Sequence, residues 1–276
     1  MAVYLNGVYW GHMNMRERVD RYFVAQHEGL SLDEADDMDI LQASGSVDYG
    51  SNKAYREMVK KIKAGDPANN EADRQYIADN IDVDNHLEYM AIEMFFGNSD
   101  IGNTRYYRLH QEGSKWRWII YDLDYGMYSS SFNSPASYTK AKGMGDQYID
   151  NTIFLKELSV PEWRDLFLTK LGDIFQTFTT DYMMNVLDEC VAIIKPEMEL
   201  HFARWAEEHD QTIVSEWPTT PDGAYRYWEQ RVERLRNTIR KRPNLLWTMI
   251  KDQFELSEEE MIHYFGPQPE MPPEAY

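Results

Sequence analysis

Three aspartates and one asparagine lie at the two ends of a predicted β-hairpin: Asp100, Asn103, Asp122 and Asp124. The hairpin is predicted because two β-prone segments, Tyr106–Leu109 and Trp116–Tyr121, flank a polar turn. A hairpin folds back on itself, so the residues before its first strand and after its second strand lie side by side. The four side chains are therefore expected to converge at one edge of the hairpin.

Carboxylates held this close repel one another unless a cation or protons neutralise them. The cation that suits oxygen ligands shared with substrate phosphates is Mg²⁺ or Mn²⁺. Asp122 and Asp124 point the same way if the second strand continues through both of them. Phosphoryl transfer uses this set of groups, with one Asp to accept a hydroxyl proton and an Asn and an Asp to hold metal.

The same residues also have simpler interpretations. Asp-x-Asp beside a turn is common, and Asn98-Ser99-Asp100 after a helix is an ordinary cap or turn in which Asp100 binds only backbone amides. The seven histidines are scattered and form no cluster at zinc spacing. Spacing alone therefore leaves both a functional and a structural interpretation open.

The composition limits the classes of partner. The 276 residues carry a formal net charge of −19, which argues against general binding to nucleic acid or to anionic membranes. A cation or a basic protein is the more natural partner. No apolar run is long enough to cross a bilayer, so no membrane span is predicted.

The rest of the pattern predicts an α+β fold. Asn6-Gly7 separates Val3–Leu5 from Val8–Trp10 and predicts a tight hairpin. The pattern after about Val19 is helical, and Gly45–Asn52 is predicted to be a polar loop. A helix is expected over Lys53–Ala64.

A second apolar helix is predicted to begin at a cap, Asp82 or Asp84, and to end at Gly97-Asn98. Tyr128 to Gly145, which is rich in Ser, Gly, Asn and Tyr, is predicted to be a mobile loop, and the sequence after it is mainly helical, with apolar residues at three- and four-residue spacing. The expected order is a small β part, helices, the acidic hairpin and a helical bundle.

The sequence resembles the CotH kinase family along most of its length. Val3 to Asp20 is similar to a family segment V-x-N-G-x-x-x-G-x-Y-x-x-x-E-x-x-D, with Met13 in place of the usual aromatic residue. Asn98, Asp100 and Asn103 match an N-x-D-x-x-N segment. Tyr106-Tyr107 matches an aromatic strand of the family, and Tyr121 to Asp124 matches a W-D-L-D segment. Two helical segments of the family are matched loosely, by Trp163 to Phe167 and by His201 to Trp205.

The resemblance implies a divergent protein-kinase-like fold with ATP between a small β lobe and a larger helical lobe. Residues 1–18 would be a partial small lobe and hinge, residues 19–265 the helical lobe with the acidic hairpin at 97–126, and residues 266–276 a Pro-rich tail. The implied reaction is transfer of the γ-phosphate of ATP to Ser or Thr of a protein, with Mg²⁺ or Mn²⁺. A spore coat or a secreted or cell-surface location is suggested by the resemblance alone.

The resemblance also implies a role for each matching residue. Asp100 would be the catalytic base, and Asn103 and Asp122 would be metal ligands, with Asp124 able to share the role of Asp122. The hinge at residues 15–18 would place Met15 and Glu17 near the nucleotide, although Glu17 also suits the acidic start of a helix.

One departure from the family pattern affects the expected activity. The family's basic phosphate-binding residues lie upstream of the segment that here begins at Val3, so the chain as given is expected to be weakly active or inactive. Two other functions remain open. One is a non-catalytic coat-assembly or adhesion protein with a kinase-like fold, and the other is a metal-dependent hydrolase that uses the same acids.

Overall fold

The computed structural model describes residues 1–100, 102–141, 150–206 and 218–273. The chain divides into two compact units. The first contains residues 1–17, 178–241 and 271–276, and the second contains residues 18–177 and 242–270. The acidic hairpin lies in the second unit.

The fold is α+β, as predicted, with two small antiparallel sheets among the described residues. The strands are β1 Ala2–Leu5, β2 Val8–His12, β3 Met38–Gln42, β4 Ser46–Tyr49, β5 Arg105–Leu109 and β6 Arg117–Ile119. The helices are α1 Arg21–His27, α2 Lys53–Ala64, α3 Glu71–Asn80, α4 Val83–Phe96, α5 Ser134–Tyr138, α6 Thr152–Leu158, α7 Pro161–Thr177, α8 Thr180–Trp205, α9 Pro221–Phe254 and α10 Glu258–Phe265. No helix among these described residues is long and apolar enough to cross a membrane.

The first unit contains the hairpin predicted at the start of the chain. β1 pairs with β2 in antiparallel register, with Leu5 opposite Val8. Asn6 and Gly7 both adopt positive φ angles, of 51° and 83°. This is the conformation that Asn-Gly favours in a two-residue hairpin turn, and the prediction is confirmed. α8 packs against β2 in the same unit.

The second unit contains a four-stranded sheet in the order β4-β3-β5-β6. The prediction of a polar loop over Gly45–Asn52 was wrong, because Ser46–Tyr49 forms the edge strand β4. The preceding strand β3 was also missed. It lies between β4 and β5 and is buried along most of its length, so it lacks the alternation of polar and apolar residues that marks a half-exposed strand.

Helix α4 immediately precedes the loop that leads into the acidic hairpin. The Asp82 carboxylate accepts a hydrogen bond from the Asn85 backbone N–H at 3.2 Å and caps the start of the helix, so of the two predicted candidates, Asp82 and Asp84, the cap is Asp82. Gly97 ends the helix in the left-handed conformation, with φ of 62°, also as predicted. α4 packs against α7 through a buried face. The loop that begins at Gly97 therefore starts from a fixed point in the core.

Candidate active site

The loop after α4 is organised by the side chain of Asn98, which is fully buried. Its Oδ1 accepts a hydrogen bond from the backbone N–H of Asp100 at 3.0 Å. The backbone carbonyl of Asp100 in turn accepts from the N–H of Asn103 at 2.9 Å. Asp100 and Asn103 are thus held in one tight loop, and the Asp100 side chain is half-buried at its surface.

The predicted approach of the two ends of the hairpin is present. The side-chain amide of Asn103 donates a hydrogen bond to the Asp122 carboxylate. The Asn98 amide donates to the backbone carbonyl of Asp122 at 3.5 Å. Behind this contact the strands pair in antiparallel register, with Arg105 opposite Ile119. Asp122 is therefore joined to the loop of Asp100 at two points.

Asp122 and Asp124 do not continue the strand before them. β6 ends at Ile119, Asp122 adopts a left-handed conformation with φ of 56°, and a short 3-10 turn follows over Leu123–Tyr125. Strand alternation therefore does not set the directions of the two aspartates. Asp124 is exposed and makes no hydrogen bond or ion pair with the described residues. Asp122 is the one of the two that contacts the Asp100 loop.

The oxygen donors suit a metal ion shared with a substrate better than a protein-only cage. The expectation that the carboxylates of Asp100, Asp122 and Asp124 all converge with Asn103 was wrong, because within the described parts of the chain no three His, Cys, Asp or Glu side chains are grouped to hold a metal. Asp122 and Asn103 nevertheless present a carboxylate and an amide in contact. Mg²⁺ typically takes one or two carboxylates and completes its coordination with waters and phosphates. Exchange of the amide oxygen and nitrogen of Asn103 by rotation would give a second oxygen ligand.

The turn that carries Asp122 is also tied to the end of α4. The Met127 backbone N–H donates to the Phe96 carbonyl at 2.7 Å. Tyr138, fully buried on α5, donates through its hydroxyl to the carbonyls of Asn98 at 2.6 Å and Glu93 at 3.1 Å. These contacts fix the Asp100 loop from α5, so the prediction of a mobile loop beginning at Tyr128 was wrong for this segment.

Arg242 holds the same helix end from a distant part of the sequence. Its guanidinium is 1% exposed and donates to the carbonyl of Phe95 at 2.8 Å and that of Met94 at 3.1 Å. It also donates to Phe132 O and Ser134 Oγ, at 3.1 and 2.9 Å. Burial lowers the pKa of Arg242 to about 10, so the side chain is still charged at neutral pH. A cation here complements the negative end of the α4 dipole.

The two residues predicted to meet a nucleotide lie in the first unit. Met15 and Glu17 belong to a segment, residues 13–19, that forms neither helix nor strand, and both are exposed. Helix α1 begins later, at Arg21, and is capped by the Asp20 carboxylate. The alternative that Glu17 starts a helix was therefore wrong.

A cavity of about 450 Å³ in the first unit adjoins the segment of Met15. It is lined mainly by aromatic and apolar side chains of β2, α8 and α9, together with Asn14: His12, Ile194, Met198, His201, Phe202, Trp205, Ala206 and Trp228. The Trp205 indole N–H donates to the Trp10 carbonyl at 2.6 Å, which ties α8 to β2 beside the cavity. Met198, Phe202 and Trp205 lie on one face of α8, a spacing that indicates a buried helix face, but the sequence alone did not predict a cavity there.

Comparison with known proteins identifies one relationship. A family model described as CotH kinase protein matches residues 1–246. No curated protein and no solved structure gives a significant match to the chain.

Proposed function

The chain belongs to the CotH kinase family, and from this premise we propose that it transfers the γ-phosphate of ATP to a Ser or Thr hydroxyl of a protein. Family membership itself suggests a kinase-like function. The transfer to protein, the dependence on Mg²⁺ or Mn²⁺ and the kinase-like arrangement of lobes are parts of the proposal.

The observation that carries the proposal is the contact between Asn103 and Asp122 beside the loop of Asp100. These residues come from opposite ends of the hairpin, so their approach depends on the fold and not on sequence proximity. The result is a base, an amide and a carboxylate within one loop and one turn. This is the set that phosphoryl transfer requires.

Each residue has a distinct role in the proposed reaction. Asp100 accepts the proton of the substrate hydroxyl as its oxygen bonds to the γ-phosphorus and the bond to the ADP oxygen breaks. Asp122 and Asn103 hold the divalent metal, with Asp124 as an additional exposed carboxylate. The metal, when bound, neutralises charge on the phosphates. Asn98 holds the backbones of Asp100 and Asp122 in fixed positions through its two hydrogen bonds.

The cavity beside Asn14 supports a place for the nucleotide base. Its walls include Phe202, Trp205 and Trp228, and a planar base stacks favourably on such rings. Met15 follows Asn14 directly and Glu17 lies three residues after it, and both would contact the base or its ribose. Bases are usually bound by largely apolar cavities with a few polar groups, which fits this lining.

A non-catalytic role in assembly or adhesion is the second candidate. The observation that favours it is the lack, within the described residues, of a preformed group of three acidic or histidine side chains for metal. A protein of this kind would have no use for Asp100 beside Asp122. Loss of these side chains would then leave its function unchanged.

The test is a phosphotransfer assay with labelled ATP, casein as acceptor, and Mg²⁺ or Mn²⁺. We expect label on casein or on the protein itself, at the low level that the departure from the family pattern implies, and loss of that label in Asp122→Asn. Asp33→Asn is the matched control, because Asp33 is an exposed aspartate in the same unit. Free phosphate without labelled protein would indicate a hydrolase. No consumption of ATP with either metal would contradict the proposal.

A further inference from the structure

The side chain of Glu93 is a buried acid beneath the loop that carries Asp100. Glu93 lies in the last turn of α4 and is 1% exposed. Neither carboxylate oxygen has a hydrogen bond of ordinary geometry with a described residue, and no cation among these residues pairs with it. A buried carboxylate without such partners is costly, so its presence calls for a reason other than packing.

The groups that face Glu93 come from three elements. Tyr89 belongs to α4 itself, Asp100 to the following loop and Tyr138 to α5, and each interacts electrostatically with the Glu93 carboxyl. The Asn98 amide also approaches it. The nearby cation, Arg242, binds the carbonyls at the end of α4 and not the Glu93 carboxylate. Asp100 is therefore the acidic neighbour of Glu93 in this group.

The surroundings of Glu93 favour its neutral form. Burial raises the pKa of Glu93 to about 7, with a further contribution from the negative charge of Asp100, while Asn98 and Tyr89 act in the opposite direction. The charge of this carboxyl consequently changes near neutral pH. An ordinary exposed glutamate is already ionised well below that range.

We infer that Glu93 is a positioning residue for the proposed phosphotransfer, and that it acts through its negative charge on Asp100. The inference rests on the proposed function. An ionised Glu93 carboxylate repels the negative charge of the neighbouring Asp100. When the substrate hydroxyl gives its proton to Asp100, the charge of Asp100 is neutralised and the repulsion from an ionised Glu93 disappears. Ionised Glu93 therefore favours proton transfer to Asp100.

The kinetic test uses Glu93→Gln, which keeps the shape of the side chain and removes its charge. We expect the wild-type kcat to rise with pH through about 7 and this rise to be absent in the variant. The variant's kcat above this pH should be about tenfold lower, a change that corresponds to one pKa unit. The KM for ATP should be unchanged, because the nucleotide does not contact Glu93 in the proposed arrangement.

The matched control is Glu88→Gln, since Glu88 is an exposed acid on the same helix. It should retain the wild-type pH profile. Circular dichroism and thermal melts would show that Glu93→Gln is folded. A folded Glu93→Gln variant with the wild-type pH profile would overturn the inference.

A second measurement is independent of activity. In protein with ¹³C-labelled glutamate side chains, the Glu93 carboxyl resonance is identified by its absence from Glu93→Gln and titrated by NMR. We expect Asp100→Asn to move the midpoint to lower pH, because it removes a negative neighbour, and Asp33→Asn to leave the midpoint in place.

The two measurements separate the inference from the proposed function. Phosphotransfer by the wild-type protein without any shift of the Glu93 midpoint in Asp100→Asn would overturn the inference and leave the proposed function standing. A shifted midpoint in a protein that transfers no phosphate would overturn the proposed function, and the catalytic role of Glu93 with it.

Discussion

The Asn103 amide donates a hydrogen bond to the Asp122 carboxylate, although the two residues are 19 positions apart. The β5–β6 hairpin lies between them and brings its two ends together. In the absence of metal this bond satisfies part of the hydrogen-bonding capacity of the Asp122 carboxylate. A bound cation would replace the amide proton as the positive partner of Asp122.

Divalent metal should therefore stabilise the folded protein through Asp122. A ligand that binds only the folded state adds about 2.7 kcal/mol of stability at a concentration about a hundred times its dissociation constant. Thermal melts in increasing Mg²⁺ or Mn²⁺ measure this effect. Asp122→Asn should lose it, and Asp33→Asn should keep it. A melting temperature that responds equally to metal in all three proteins would contradict a site at Asp122.

Replacement of Asp100 should separate turnover from nucleotide binding. Asp100→Ala removes the proton acceptor, and losses of about 10²- to 10⁴-fold in kcat are typical for such groups. ATP affinity, measured by calorimetry, should stay within a few fold, because the base acts mainly in the transition state. Equal loss of binding and turnover would show that Asp100 holds the nucleotide or the fold.

Short-range signals predicted most of the elements that frame the site. The helix predicted over Lys53–Ala64 has those bounds in the structure. The Asp82 cap and the Gly97 helix end depend only on neighbouring residues, and both were predicted. The same holds for Asn6-Gly7, whose conformation is set by the turn itself. These features can be predicted from sequence because the interactions that stabilise them involve only neighbouring residues.

The features that were missed depend on distant partners. Arg242 reaches Phe95 across 147 positions, and no local pattern marks such a contact. The burial of Glu93 follows from packing around α4 and not from its own residue type, which is normally exposed. The second strand, whose continuation through Asp122 and Asp124 was left open, ends at Ile119, and Asp122 is left-handed. The predicted convergence of Asn103 and Asp122 succeeded because a hairpin alone is enough to produce it.

Asn98 should be required for both stability and turnover. Asn98→Ala removes the acceptor of the Asp100 N–H and the donor to the Asp122 carbonyl. Each buried polar group left unpaired costs about 1–3 kcal/mol. Urea unfolding measures this cost, and kcat should fall because Asp100 is less well placed. Asn69→Ala is the control, since Asn69 is exposed and bonds only locally, to Asp66. Equal stability of the two variants would contradict the role of Asn98.

Gly97 and Gly113 allow the contact with Arg242 to be measured separately from backbone strain. Both glycines have positive φ, of 62° and 77°, so alanine at either position costs about 1–2 kcal/mol. A Cβ at Gly97 would also overlap the Arg242 guanidinium, whereas a Cβ at Gly113 has no atom within 4 Å. Gly97→Ala should therefore be clearly the more destabilising in urea unfolding. Similar losses for both variants would show that Arg242 can move away at little cost.

The raised pKa of Glu93 makes stability depend on pH in a defined direction. Its pKa of about 7 in the folded protein lies above the ordinary value of 4.5. Between these two pKa values the folded state therefore binds more protons than the unfolded state. The stability that the Glu93 proton contributes is fully present below the unfolded-state pKa and is lost as the pH rises through about 7. The loss is on the order of 3 kcal/mol, since each pKa unit corresponds to about 1.4 kcal/mol.

Urea unfolding of the wild-type protein and Glu93→Gln, from about pH 5 to about pH 8, measures this dependence. The variant has no carboxyl to ionise, so its free energy of unfolding relative to the wild-type should increase with pH across this range. Burial also shifts the pKa values of Glu157 and His201, but these groups titrate in both proteins and cancel in the difference. A difference that stays constant with pH would show that Glu93 is already ionised throughout the range, and that burial does not hold its proton.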